Sequence, residues 1–262
     1  MTGTVTGTPA GTWTFDGTWR TFTGLEGGLV LGAMAEAAHR VTTEHARPGS
    51  LVTVRTVQAH FLRPVDTGQE FTVLAHPWRT GGTTSLQLQA EQGGDARVVG
   101  QALVGAVPGP PGPRPGQPLP DGPDVGEALV LPVDFVPVSQ HVEIRAVGPG
   151  RPLAGGTDPR LAAWLRVREP AAVPDPHVAL GLLVDVLPPS LYAVSTAPAV
   201  MPTVELTLHL HGTPPAAGSW LRLEQWTDLV DDFGCVDEAV VHDEGGRLVA
   251  RARQTRRVAR PQ

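Results

Sequence analysis

Residues 177–211, HVALGLLVDVLPPSLYAVSTAPAVMPTVELTLHLH, decide how the chain folds. From Val178 to Leu187 the stretch is apolar on every side except at Gly181 and Asp185. A helix that is hydrophobic all round is buried rather than laid on a surface. Asp185 therefore belongs inside the protein, where an ionised carboxylate is costly without partners. Pro188 and Pro189 stop the helix, and a strand beginning near Thr203 follows. A buried acid at the end of a core helix, facing a strand headed by a hydroxyl, is the strongest functional signal in the sequence.

Upstream, GLEGGLVLGAMAEAAHRV supplies a second, almost wholly apolar helix over Gly27 to Val41. Each of its glycines lowers helix propensity by roughly 1 kcal/mol, so close packing against a neighbouring backbone is the expected compensation. Residues 11–23 alternate aromatics and threonines and read as a short strand with a turn at Asp16-Gly17. Three strand regions follow the helix: Leu51 to Arg63, Glu70 to Thr80, and Thr83 to Gln92 turning through Gly-Gly-Asp into Arg97 to Val107. They are rich in Val, Thr, Leu and Phe, which suit a pleated, half-buried surface. Further strands are expected at Phe135 to Ala146 and Arg160 to Arg168, ahead of the Val178 helix. After it come Thr203 to His211, Trp220 to Leu229, Cys235 to Asp243 and Arg247 to Val258.

The order of elements repeats on either side of residues 108–126, PGPPGPRPGQPLPDGPDVG, a Pro/Gly tract with almost nothing to bury. LGAMAEA at Leu31 to Ala37 matches LGLLVDV at Leu180 to Val186 without a gap, pairing Gly32 with Gly181 and Glu36 with Asp185. VTVRTVQAHFLRP matches MPTVELTLHLHGTP, pairing Val54 with Thr203 and His60 with His209. RVVGQALVGAV matches RLVARARQTRRV, pairing Val104 with Gln254. Two halves of like design are the simplest account: an N-terminal repeat over 1–107, a linker over 108–130 and a C-terminal repeat over 131–262. The half with apolar residues at the paired positions is the structural one.

Composition narrows the function. The apolar fraction of 41% and charged fraction of 18% describe an ordinary globular protein. A net charge of −6 with no basic block argues against nucleic-acid binding. No apolar run reaches the length of a membrane span, and MTGTVTGTPAGTWTF has no secretory signal pattern. One cysteine, Cys235, excludes an internal disulfide framework and fits a cytoplasmic location.

A buried helix followed by several antiparallel strands describes a sheet wrapped around a central helix, an α+β design. In that setting HFLRP, RTGGTTS, HVEIRAVGP, WLRVRE, VDVLPPS and EGGRLVARARQ resemble, in order, segments of the double-hotdog acyl-CoA thioesterase family, the type II or thioesterase-like superfamily. The resemblance runs from about Gly11 to Val258. It implies two antiparallel sheets, each wrapped around a central buried helix. It also implies that a helix aspartate, a threonine or serine on the next strand and a glutamine on the last strand hold a water that attacks the thioester. Asp185, Thr203 and Gln254 stand at those places. The chemistry makes sense by itself: a thioester is already activated, so water, a general base and an oxyanion partner suffice. Asp185 would take the proton of water, and Thr203 and Gln254 would orient it. Backbone N–H groups at Gly27 and Gly28 would serve the oxyanion. In the run Arg251, Arg253, Arg256, Arg257 and Arg260, Arg256 is the one assigned to substrate, through coenzyme A or phosphopantetheine phosphate.

Competing readings attach to several of these residues. A buried Asp late in a helix can serve only to bond a backbone amide. Glu36 could be a rival base with Thr83, Thr84 or Ser85 as partners, but its paired strand positions are Val54 and Val104, which favours a buried structural acid. His209 and His211 share a strand face without the company a metal needs, so no metal is expected, and Cys235 has no visible activating neighbour. No dinucleotide or phosphate-loop motif calls for a cofactor, and no GxSxG elbow points to an α/β-hydrolase. The expected activity is hydrolysis of an acyl thioester of coenzyme A or of an acyl carrier protein, in lipid or polyketide metabolism, by a chain that could form a homodimer. The alternative is a non-hydrolytic acyl-thioester binding protein, or a dehydratase- or isomerase-like enzyme on the same scaffold.

Overall fold

A computed structural model describes residues 7–108, 118–119 and 121–258. The chain runs β1 (Thr8–Trp13), α1 (Gly27–His45), β2 (Ser50–Phe61), β3 (Phe71–Arg79), β4 (Thr83–Gln92) and β5 (Asp95–Pro108). It continues through β6 (Glu127–Ala128), β7 (Val142–Val147), β8 (Arg160–Val167), α2 (Pro176–Asp185), β9 (Thr203–Leu210), β10 (Leu221–Val230), β11 (Gly234–Asp243) and β12 (Leu248–Arg257). Residues 109–117 and 120 of the expected Pro/Gly linker lie outside the described residues, as does Arg260. Its last part is not all linker, since β6 pairs with β7 at the sheet edge. The strand expected from Phe135 begins only at Val142, because Pro137 opens a short 3-10 turn over Pro137–His141.

The hotdog design holds, in a more continuous form than two separate sheets. Among the described residues all twelve strands lie in one antiparallel sheet ordered β1-β3-β4-β5-β2-β9-β12-β11-β10-β8-β7-β6. The halves meet where β2 pairs with β9 from Thr56↔His209 to His60↔Glu205. That pairing satisfies two edges that would otherwise expose unpaired backbone groups. Outward from the seam the N-terminal half reads β2-β5-β4-β3-β1 and the C-terminal half β9-β12-β11-β10-β8, extended by β7 and β6.

These ladders correct one internal match. Ala59 pairs with Gly100, and Leu208, its equivalent in the second repeat, pairs with Ala252. Gln254 therefore corresponds to Ala102 and Arg256 to Val104, two residues from the gapless match. A longer turn between β11 and β12 than between β4 and β5 is part of the difference. A shift of two keeps every side chain on its face, so only the identity of the counterparts changes.

The two helices lie antiparallel against one another inside this sheet. Their contact is backbone on backbone: a Cβ on Gly28 would sit 2.1 Å from the Gly181 carbonyl oxygen, and one on Gly32 would sit 2.5 Å from Val178 Cα. The glycines in both helices are thus explained by close approach, which outweighs their poor propensity. Leu29, Leu31, Met34, Leu180 and Leu182 are all buried around the contact, each worth about 1.5–3 kcal/mol of transfer free energy. Side-chain caps start both helices, Glu26 accepting from Leu29 N at 2.9 Å and Asp175 from His177 N at 2.8 Å and Val178 N at 3.1 Å. The antiparallel arrangement brings the C-terminal end of α2 against the first turn of α1.

Candidate active site

Asp185 is the last residue of α2, and its side chain is only 7% exposed. Oδ2 accepts from Gly28 N at 3.0 Å, and Oδ1 accepts from Gln254 Nε2 at 2.5 Å. An anion at a helix N-terminus is favoured by the free N–H groups there and by the helix dipole. The loop after the helix is tied down by Gln225, whose Nε2 donates to the Pro188 carbonyl at 2.5 Å. It returns the chain so that Thr203 opens β9 beside the acid.

Gln254 and Arg256 are alternate residues of β12 and point inward together; Arg253 and Arg257 point out. Gln254 Nε2 also donates to Thr203 Oγ1 at 2.5 Å. Its Oε1 accepts from Arg256 Nη2 at 2.6 Å, and Arg256 Nη1 donates to Thr203 Oγ1 at 3.2 Å. Behind them Asp237 on β11, buried at 3% exposure, accepts from Arg256 Nε at 3.0 Å and from Thr227 Oγ1 at 2.8 Å. Arg256 is also 3.6 Å from Asp185 Oδ1. Gln254 thus joins the other two residues singled out in the sequence, Asp185 and Thr203, reaching the former across 69 positions of chain.

With this geometry in place, comparison with known proteins is informative. The family model described as the acyl-CoA thioesterase C-terminal domain matches residues 111–258, and that for the N-terminal domain matches residues 15–105. The chain belongs to the acyl-CoA thioesterase family. This thioesterase is a thioester hydrolase of the double-hotdog kind. Among curated proteins none matches its sequence significantly. Similar solved structures include a hot dog fold protein of unknown function from Alicyclobacillus acidocaldarius, with 21% identity, a TM-score of 0.78, and coverage of 96% of this chain and 93% of that one. A putative thioesterase II from Thermobifida fusca has 23% identity, a TM-score of 0.77 and coverage of 95% and 92%. The acyl-CoA thioesterase II TesB2 from Mycobacterium marinum has 19% identity, a TM-score of 0.66 and coverage of 90% of each chain. At these identities the likeness is one of fold.

Two expectations for this thioesterase change on contact with the structure. Gly28 N–H does not face a substrate oxyanion; it donates to the buried Asp185 carboxylate. Arg256 does not reach outward to a phosphate. The pleat of β12 turns it inward, where it is 6% exposed and its guanidinium is taken up by Asp237, Thr203 and Gln254. Arg251, Arg253 and Arg257 remain on the outer face, with Arg253 paired to Glu238.

Glu36 lies at the other end of the helix pair. It accepts from Trp13 Nε1 at 3.0 Å and lies 3.5 Å from Arg40, and among the described residues no bond joins it to Thr83, Thr84 or Ser85. Burial and the nearby Asp175 charge raise its pKa. His209 is exposed at the seam, 3.4 Å from Thr56 Oγ1. Cys235 is buried, and desolvation, then the Asp237 charge, push its thiol up to about 11. A neutral thiol is a poor nucleophile.

Two site residues escaped the sequence reading. Asp237 carried a usable signal, a charged residue at an inward position of the alternating strand GCVDEAVVHD. Glu26 carried a weaker one, an acid just ahead of the α1 glycines. It is 1% exposed, and burial followed by the charge of Asp185 drives its pKa well above the ordinary glutamate value.

Proposed function

We propose that this thioesterase hydrolyses acyl-CoA with a water molecule activated by Asp185, in a site organised by Thr203 and Gln254. The single observation that carries the reading is the direct contact of Gln254 with both Asp185 and Thr203 inside an apolar interior. The donor and acceptor inventory supports distinct roles. Both amide hydrogens of Gln254 are engaged and its carbonyl is held by Arg256, so Gln254 fixes the other two side chains. Thr203 Oγ1 already accepts two hydrogen bonds, which leaves its own proton to donate to the water or to the thioester oxygen. Asp185 keeps lone pairs beyond those used by Gly28 and Gln254.

In the first step Asp185 takes a proton as the water oxygen bonds to the thioester carbonyl carbon, and the carbonyl π pair moves onto oxygen. Thr203 and the N–H of Gly27, which as the first residue of α1 has no intrahelical acceptor, would serve as the oxyanion donors. The tetrahedral intermediate then re-forms its C=O bond, the C–S bond breaks, and the sulfur leaves with the pair and takes the proton held by Asp185. No covalent enzyme intermediate is needed. The acyl group lies on the apolar side of the site, where Phe61 packs against Gly27.

The test is thiol release from a panel of acyl-CoAs, followed with a thiol-reactive dye. Turnover with at least one acyl-CoA, lost in Asp185→Asn while acyl-CoA binding persists, is the expected result. Tight binding without thiol release in the unaltered protein would refute hydrolysis.

A further inference from the structure

The carboxyl group of Glu26 has no use in the scheme above, yet it sits beside the base. It belongs to the N-cap of α1, with Oε2 accepting from Leu29 N at 2.9 Å. Oε1 is fully buried and accepts from no donor among the described residues. The carboxyl group also lies within reach of the Gly28 backbone N–H and of the Asp185 carboxylate, which is itself held on the same helical turn by Gly28 N. Two carboxyl groups form a hydrogen bond only if one carries the proton.

The surrounding charges decide which form is favourable. α2 contributes Asp185, β12 contributes Arg256 and β11 contributes Asp237; the first turn of α1 adds no further charge. Arg256 makes its close ion pair with Asp237 at 3.0 Å and stands 3.6 Å from Asp185. Tyr192, whose hydroxyl donates to the Ala199 carbonyl, and Cys235 are raised by burial and stay neutral. One guanidinium thus serves two carboxyl groups, Asp185 and Asp237, and Glu26 adds a third beside Asp185, so a proton on Glu26 removes the excess negative charge. Like-charged carboxylates in one buried site share a proton in this way.

We propose that Glu26 is a positioning residue for the reaction: its carboxyl group donates a hydrogen bond to the Asp185 carboxylate and fixes the orientation of the base toward the water. Burial and the Asp185 charge both act to keep that proton in place. The inference rests on Asp185 being the base of the reaction proposed above.

Infrared spectroscopy of the intact protein at pH 7 tests the shared proton without reference to activity. The expected spectrum contains the carbonyl stretch of a protonated carboxyl group, lost in Glu26→Gln and shifted in Asp185→Asn, where the acceptor becomes an amide. Kinetics test the positioning. Glu26→Leu, which has no donor, is expected to lower kcat with acyl-CoA by about tenfold or more with little change in KM. Glu26→Gln, whose amide still donates, restores kcat to within about threefold of the unaltered protein. Absence of the protonated-carboxyl band, a band unmoved by Asp185→Asn, or a folded Glu26→Leu variant with undiminished kcat would each overturn the proposal. If Glu26 variants fail to fold, the band and its response to Asp185→Asn still decide it. Should the unaltered protein release no thiol from any acyl-CoA, the hydrolase reading fails, and the infrared result separately reports the carboxyl pair.

Discussion

The two ends of the α1–α2 pair are built from matching parts and end up chemically unlike. Each end has a capping acid and a helix acid: Glu26 with Asp185 at one, Asp175 with Glu36 at the other. At the Asp175 end the charges are met by cations or by groups that can become so. His177 Nδ1 lies 3.4 Å from Asp175, and Arg40 lies 3.5 Å from Glu36. The facing sheet there offers Val54, Ala102 and Val104, where the other end has Thr203, Gln254 and Arg256. An acid on a helix of this pair is therefore not by itself a reactive site. The difference lies in the strands opposite, which surround Asp185 with fixed donors and leave Glu36 bonded to an indole.

The strongest way to break this contrast is to remove each helix acid in turn. Asp185→Asn is expected to lower kcat/KM for acyl-CoA by about 10²–10⁴-fold, the usual range for a general base; Glu36→Gln should change it by less than about twofold. Comparable losses from both would mean that the ends are functionally alike. Arg256→Met leaves Asp237 buried without its cation and should cost about 3–5 kcal/mol in urea unfolding. Adding Asp237→Asn should recover part of that loss.

Gln254→Ala copies the residue at Ala102 onto the active end. Loss of orientation of Asp185 and Thr203 is expected to reduce kcat by about 10²-fold, measured by thiol release. Gly181→Ala tests the shared helix contact, since the new methyl would meet the Gly28 carbonyl oxygen at 2.2 Å. Overpacking of this kind costs about 1–3 kcal/mol, read from thermal unfolding. The smallest loss of stability is expected from Asp175→Ala, about 1 kcal/mol for a lost helix cap.

The capping acids should also respond to pH in opposite directions. Burial pushes the Asp175 pKa up, but its hydrogen bond with His177, that ring's charge and the backbone N–H groups outweigh it and hold it below the ordinary value. Its contribution to stability is then present above the unfolded-state pKa and lost as pH falls through the lowered one. Glu26, raised by burial and Asp185, contributes stability below its unfolded-state pKa and loses it as pH rises through the raised one. Unfolding free energies measured across pH should accordingly differ from Asp175→Ala least at acid pH and from Glu26→Gln most at alkaline pH.

Much of the architecture could be read from one-dimensional pattern. The all-round apolar helices, the β-rich runs after each of them and the repeat of LGAMAEA as LGLLVDV are local properties of the chain, because helix burial and strand alternation are written in neighbouring residues. Asp185, Thr203 and Gln254 were identifiable through residue type, order and family resemblance. The inward turn of Arg256 follows from the parity of β12 relative to Gln254 and was readable in principle. Its partner Asp237 and the register that aligns Ala102 with Gln254 depended on ladders between distant strands.

By itself, then, the sequence determined two apolar helices, two matching halves and a polar trio that has no place in a purely structural core. Tertiary structure alone decided that the sheets fuse at β2 and β9, that Gly28 serves Asp185, and that Glu26 is brought to the same helical turn as Asp185. The reason is physical: pattern along a chain reports which groups leave water, whereas a carboxyl group's protonation and partners are set by what other segments place within a few ångströms of it.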